Sequence, residues 1–189
     1  MFTFKKYALV GVAALAALSM SCSDDTDDEI SYEFDRESVP TLGSPSNPDI
    51  GSSANLDANP VGIHKIGELP NVKNEIDLVY DGGNLCSPKG ITTTKPTSSL
   101  GSAFTGVDNG VLFFDAQGAT NADDLVEAMW VAQPESKGGD GGGFLDACLS
   151  AGEGRIFGVI TNTTNLALVK VNKTDATAQT ITLYVGLAE

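Results

Sequence analysis

The sequence has one histidine, one tryptophan and three cysteines in 189 residues, and only 11 lysines and arginines against 25 aspartates and glutamates. Each scarcity removes a class of function. A net charge of −14 leaves too few cations to cluster against phosphates, so nucleic acid is not expected as a partner. A structural zinc site wants four Cys/His ligands. Beyond the first 22 residues only Cys86, Cys148 and His64 are on offer, one short of such a set, and no metal or cofactor is expected. A Ser-His-Asp or Cys-His centre would have to use His64. No Gly-x-Ser-x-Gly elbow accompanies it, and Ile63 and Ile66 nearby suit a strand or turn residue. No apolar run reaches the about 20 residues that a membrane-spanning helix needs.

Glycine is plentiful, and Lys137-Gly138-Gly139-Asp140-Gly141-Gly142-Gly143 invites a phosphate-loop reading. The order of lysine and hydroxyl that such a loop requires is missing, and Asp140 would repel a phosphate, so a flexible loop is expected. No calcium loop of spaced acids with a closing glutamate is complete. Paired carboxylates are harder to set aside, since a glycosidase needs only two acids at a set separation. Asp77, Asp81, Asp115 and Glu127 lie at or near expected ordered elements. Against that, sugar platforms are aromatic, and Trp130, beside Met129 on an expected helix, is read as a core residue.

The N-terminus is more specific. Lys5 and Lys6 precede an apolar, small-residue run from Ala8 to Met20, and Ser21-Cys22 follow. The run has the length and flanks of a signal-peptide core. A core helix would carry a polar face, and this run has none. Leu18-Ser19-Met20-Ser21-Cys22 resembles the lipobox of bacterial lipoproteins, with the leucine one place further from the cysteine and a large Met20. Ser19-x-Ser21 also suits an ordinary signal peptidase cutting at the same bond. The run Ser23-Asp24-Asp25-Thr26-Asp27-Asp28-Glu29 resembles the surface-export signal of lipoproteins in Bacteroidota-type envelopes. The resemblance implies cleavage after residue 21, palmitate-type acylation of Cys22, and a place on the cell surface at the outer membrane. Two or more acyl chains make such attachment stable, each buried CH₂ contributing about 0.8 kcal/mol. Loss of Lys5 and Lys6 takes the net charge from −14 to −16.

Residues 22–59 are acidic and then rich in Ser, Pro, Asn and Gly, without a period of 2 or 3.6. They read as a disordered tether. Residues 60–189 suit a single β-rich domain. Its C-terminal third reads as a three-stranded antiparallel meander: Arg155 to Thr161, Leu166 to Val171, and a last strand with Ile181, Leu183, Val185 and Leu187 on one face. Asn162 to Asn165 and Asn172 to Asp175 are its expected turns. Upstream, Ile76 to Tyr80 alternates, and Asn109-Gly110 predicts a hairpin between Ala103–Val107 and Val111–Asp115. A helix is expected from Asn121 or Ala122 to about Ala132, capped by Asn121, with Asp123 and Asp124 at its positive end. A second helical turn is expected at Phe144, Leu145, Cys148 and Leu149. The predicted architecture is an antiparallel β-sandwich-like domain with one or two short helices.

Ile76 to Tyr80, Cys86-Ser87-Pro88 and the terminal strand pair also resemble uncharacterised lipoprotein domains of the same bacteria, which implies no activity. Cys86 and Cys148 form an even pair in an oxidising compartment, which suggests a disulfide contributing about 4 kcal/mol through loop closure. Two buried free thiols are the other reading, since Cys148 lies on an apolar stripe. The expected function is a non-catalytic surface binding or structural module, with the membrane as one partner and a glycan or protein ligand as the other. The alternative is a small glycan-directed hydrolase using two carboxylates.

Overall fold

Long strands at the C-terminus organise the chain. In this computed structural model, which describes residues 34–47, 49–133 and 143–188, β9 (Ile156–Ile160), β10 (Leu166–Asp175) and β11 (Thr180–Ala188) form the expected antiparallel meander. The 162–165 connection is a turn, but the second turn falls later than expected. β10 runs on through a register irregularity between Val171 and Lys173 to Asp175. Asp175 Oδ1 then accepts the N–H groups of Thr177 and Ala178 at 3.0 and 2.8 Å, and the chain reverses there.

The first sheet is completed by β7 (Leu112–Asp115) beside β9, and by β1 (Arg36–Ser38) and β2 (Thr41–Gly43), which both lie along β11. The second sheet has the order β4 (Gly62–His64), β3 (Ser53–Asn55), β5 (Leu78–Tyr80), β6 (Asn84–Cys86), β8 (Cys148–Ser150). All its pairings are antiparallel. The sheets pack face to face around one core. Leu42, Phe113, Phe157, Val169, Leu183 and Val185 come from the first sheet, and Ala54, Leu78, Tyr80 and Leu85 from the second. Each large side chain so buried contributes about 1.5–3 kcal/mol.

The outer faces are covered too. Helix α4 (Ala122–Ala132) lays Leu125 and Met129 on the first sheet with Phe34, Phe114 and Leu168. Asn121 caps it by accepting the Asp124 N–H at 2.9 Å, as its sequence indicates. Helices α1 (Leu69–Val72), α2 (Pro88–Thr94) and α3 (Ser99–Ala103) cover the second sheet, burying Leu69, Ile91, Leu100 and Phe104 against Val79 and Cys86.

Four expectations are corrected. Residues 34–59 are not a tether: they supply β1, β2 and β3, and Leu42, Ala54 and Leu56 are fully buried. Strands of three residues are too short to show a period, and their polar neighbours make turns instead of disorder. Asn47 Oδ1 accepts the N–H groups of residues 49 and 50, and Asn55 Oδ1 those of residues 57 and 58. The expected 103–107 strand is instead the last residue of α3 and the turn that follows it; the Ser98 cap of α3 accepts the Gly101 N–H at 2.9 Å, and β7 pairs with β9. Cys148 and Leu149 belong to a strand, where alternation sends Cys148 to the helix-covered side and Leu149 to the inter-sheet core. Trp130 is 52% exposed, because Leu125, Met129 and Ala132 take the inward face of α4. The 1–21 leader, Cys22, the acidic run up to residue 33 and the 137–142 glycine loop lie outside the described residues. Among those described, no helix is long and apolar enough to cross a membrane.

Two glycines let aromatic rings lie on the first sheet. A Cβ on Gly158 would come within 2.0–2.5 Å of the Phe114 ring, its cross-strand neighbour, and one on Gly186 within 2.4–2.8 Å of the Phe34 ring. Gly158→Ala should therefore destabilise the protein by about 1–3 kcal/mol or more through overpacking, read as a lower denaturation midpoint. The paired change Gly158→Ala with Phe114→Leu should recover part of that loss.

Candidate functional site

β5 and β6 are joined by Asp81-Gly82-Gly83-Asn84, with Gly82 at φ 100°, where a side chain would be strained. Asp81 Oδ1 accepts the backbone N–H groups of Gly83 and Asn84 at 3.0 and 2.8 Å. Its Oδ2 takes the Lys95 ammonium, delivered by the end of α2, at 2.5 Å. Facing this turn is the segment after β2. Ser44 and Ser46 each donate a hydroxyl to Gln179 Oε1 at 3.2 and 2.8 Å, and the Ser44 N–H meets the Gln179 carbonyl at 2.8 Å. Between the two lies a polar cleft of about 410 Å³, lined by Ser44, Ser46, Tyr80, Asp81, Asn84, Lys95 and Gln179, among others.

The electrostatics of the cleft favour holding over proton transfer. Burial pushes the Asp81 carboxyl upward, but Lys95, Asn84 and the turn amides together hold it below the usual carboxylate range. The Tyr80 phenol is pushed up by burial and then by the adjacent Asp81 charge. Near neutral pH the cleft therefore presents an ionised carboxylate already paired, a neutral phenol, and hydroxyl and amide groups.

The other acid of the β5 region does different work. Asp77 is fully buried. Its Oδ2 accepts the Leu56 N–H, beyond β3 of the second sheet, and its Oδ1 the Asn162 N–H, in the β9–β10 turn of the first, both at 2.8 Å. Burial raises its pKa to about 7 against the pull of those amides, with the Asp57 charge adding to the rise. Asp57, which sequence reasoning assigned to the tether, accepts Thr161 Oγ1 and Asn165 Nδ2 at 3.0 Å each. These two carboxylates form a clip between the sheets, away from the cleft.

The remaining candidates are dispersed. Asp115 is exposed at the end of β7, where it accepts the Gln117 N–H at 3.0 Å, and Glu127 is exposed on α4. His64 lies on β4 with Nδ1 3.5 Å from Glu68 Oε2. Cys86 and Cys148 are register partners on β6 and β8, joined by a disulfide with S–S 2.02 Å. Asp81 has a carboxylate oxygen within 4.8 Å of both sulfurs, but the sulfurs are bonded to each other and the carboxylate is fully engaged, so the trio does not fit a metal.

One arrangement had no sequence signal beyond Ser87-Pro88. Ser87 Oγ donates to Asp146 Oδ1 and Lys89 Nζ meets Asp146 Oδ2, both at 2.8 Å. It does not make a serine nucleophile. Ser87 is fully buried and accepts the Gly90 N–H as the cap of α2. The Asp146 carboxylate, foremost through its hydrogen bond, raises the Lys89 pKa and keeps it protonated.

Fold and site thus define a two-sheet antiparallel β domain, covered by helices on both outer faces and carrying a polar cleft where the sheets meet. No protein-family model matches the chain, and no match is found among the curated proteins or the solved structures.

The Asp77 clip makes stability pH-dependent with a definite sign. Its carboxyl titrates higher in the folded than in the unfolded chain, so the folded state binds the extra proton. This contribution is largest below the unfolded pKa near 3.8 and is lost as pH rises towards about 7, by about 4 kcal/mol at most. Chemical denaturation should show the free energy of unfolding falling across that interval, and the fall should shrink in Asp77→Asn. That variant should itself cost about 1–3 kcal/mol, because an amide offers only one acceptor to two N–H groups. Reducing the disulfide, which spans a separation of 62 residues, should cost about 4 kcal/mol, read by melting with and without a dithiol.

Proposed function

We propose that this chain is a secreted lipoprotein, held at the outer-membrane surface by acyl chains on Cys22, whose β domain is a non-catalytic binding or structural module. The observation that carries the reading is the cleft itself. Asp81 is the only acid among its described lining residues, and it is paired with Lys95. Hydrolysis by two carboxylates needs a second acid about 5–10 Å away with room for substrate between. Asp77 is buried and Asp57 half-buried in the clip between the sheets, and Asp115 and Glu127 lie on other elements.

The rest of the reading comes from composition. A chain of net charge −14 is repelled by nucleic acid and by anionic headgroups. Attachment then falls to the acyl chains. A ligand is the remaining partner, and hydroxyl and amide groups in the cleft suit a polar one.

Two measurements test this. Cys22→Ala should abolish palmitate labelling and move the protein from the membrane to the soluble fraction; a mutant that stays with the membrane refutes the anchor. Glycan and protein-partner arrays should give a specific hit, while a hydrolysis screen over the same glycans gives no turnover. Turnover lost in Asp81→Asn would replace the module with an enzyme.

A further inference from the structure

A second cleft, of about 200 Å³, adjoins the first and shares Ser44 with it; Asn47, Ile50, Ser52, Lys65 and Ile66 line it. From the chemistry of the combined lining we infer that the two clefts form one groove that binds a short acidic oligosaccharide, a polyhydroxylated chain bearing a carboxylate at the Lys65 end. This rests on the binding-module reading above and names the ligand class.

Three features point to that class. The groove is lined by neutral hydrogen-bonding side chains: Ser44, Ser46, Asn47, Ser52, Asn84 and Gln179. Hydroxyls and amides both donate and accept, which matches sugar hydroxyls that do the same. The larger cleft alone falls within the about 300–1,000 Å³ of small-molecule sites.

Some of this hydrogen-bonding capacity is unspent. Gln179 Oε1 takes both serines, while its amide N–H₂ has no protein partner among the described residues. The Ser52 hydroxyl is buried, with the residue 2% exposed, and has no partner either. Buried polar groups left unsatisfied are rare and costly.

Charge selects the acidic sugar. Lys95 is neutralised by Asp81, which leaves Lys65 as the uncompensated charge of the lining. Lys65 is exposed and has no ion pair among the described residues. The nearest acid along its element, Glu68, is engaged by the Lys65 backbone N–H at 3.0 Å and by His64. On a molecule of net charge −14, whose surface otherwise repels anions, this is the end of the lining where a single anionic group meets attraction.

The test is titration of the purified full chain with hexamers of galactose and glucose that end in a single galacturonate or glucuronate, beside the unmodified neutral hexamers. At least one uronate-ended hexamer should bind, more tightly than its neutral counterpart and more weakly as salt rises. Lys65→Glu should weaken it about tenfold with an unchanged melting temperature, and Gln179→Ala severalfold at a temperature where the variant is fully folded. Lys170→Glu, on the outer face of the first sheet, should have no effect beyond its change in net charge. Binding of no uronate, or binding indifferent to Lys65→Glu and Gln179→Ala, overturns the inference. A specific protein hit with no uronate bound overturns it too, yet keeps the binding module. Cleavage of any hexamer overturns the module itself.

Discussion

Each sheet of this domain packs on the other with one face and carries helix on part of its opposite face, and β11 is where that constraint is tightest. Its Ile181, Leu183, Val185 and Leu187 fill the inter-sheet core, while Tyr184 packs on the outer side against the Phe34 ring. One strand edge is taken by β10, and the other is shared by β1 and β2. A strand so enclosed cannot slip register by a residue without exchanging its core and outer faces. Gly186 and Gly158 are part of the same constraint, because their missing side chains make the space in which Phe34 and Phe114 lie flat on the sheet. Everything outside the meander is positioned by reference to it.

The polar cleft follows from that arrangement. The β10–β11 turn brings Gln179 to the segment after β2, and the β5–β6 turn brings Asp81 across from them. Neither turn builds the site alone, since one belongs to each sheet. Asp77 ties the sheets a short way along the same chain. It accepts one N–H from each, and its burial makes the tie sensitive to pH. Two aspartates four residues apart thus have opposite chemistry. Asp81 is kept ionised by a lysine and turn amides, whereas Asp77 is pushed towards the neutral form by desolvation.

Much of the fold was legible where side chains repeat over enough residues to show a period. The three C-terminal strands and α4 are of that kind, and Asn121 announced its own cap. The strands of β1 to β4 are three residues each, below the length at which alternation is visible. Their Ser, Asn and Gly neighbours look alike whether they form turns or disorder. Ser87-Pro88 and Ser98 were helix-start signals that the β-rich reading passed over. Phe144 to Leu149 shows the reverse error, since spacing compatible with a helix was realised as a strand whose neighbours face opposite sides.

What the sequence determined by itself is local or compositional: the apolar run from Ala8 to Met20 ahead of Cys22, the acidic balance, the long amphipathic strands, the capped helix, and two cysteines beyond Cys22. Tertiary structure alone decided that residues 34–59 belong to the domain, that Cys86 faces Cys148 across adjacent strands, and that Asp77 is interior while Asp81 lines a cleft. It also turned Trp130 outward. The physical reason is the same in each case. A side chain's burial, partner and charge state depend on which distant segment lies against it, 62 residues away at the disulfide and 85 at the Asp77–Asn162 contact.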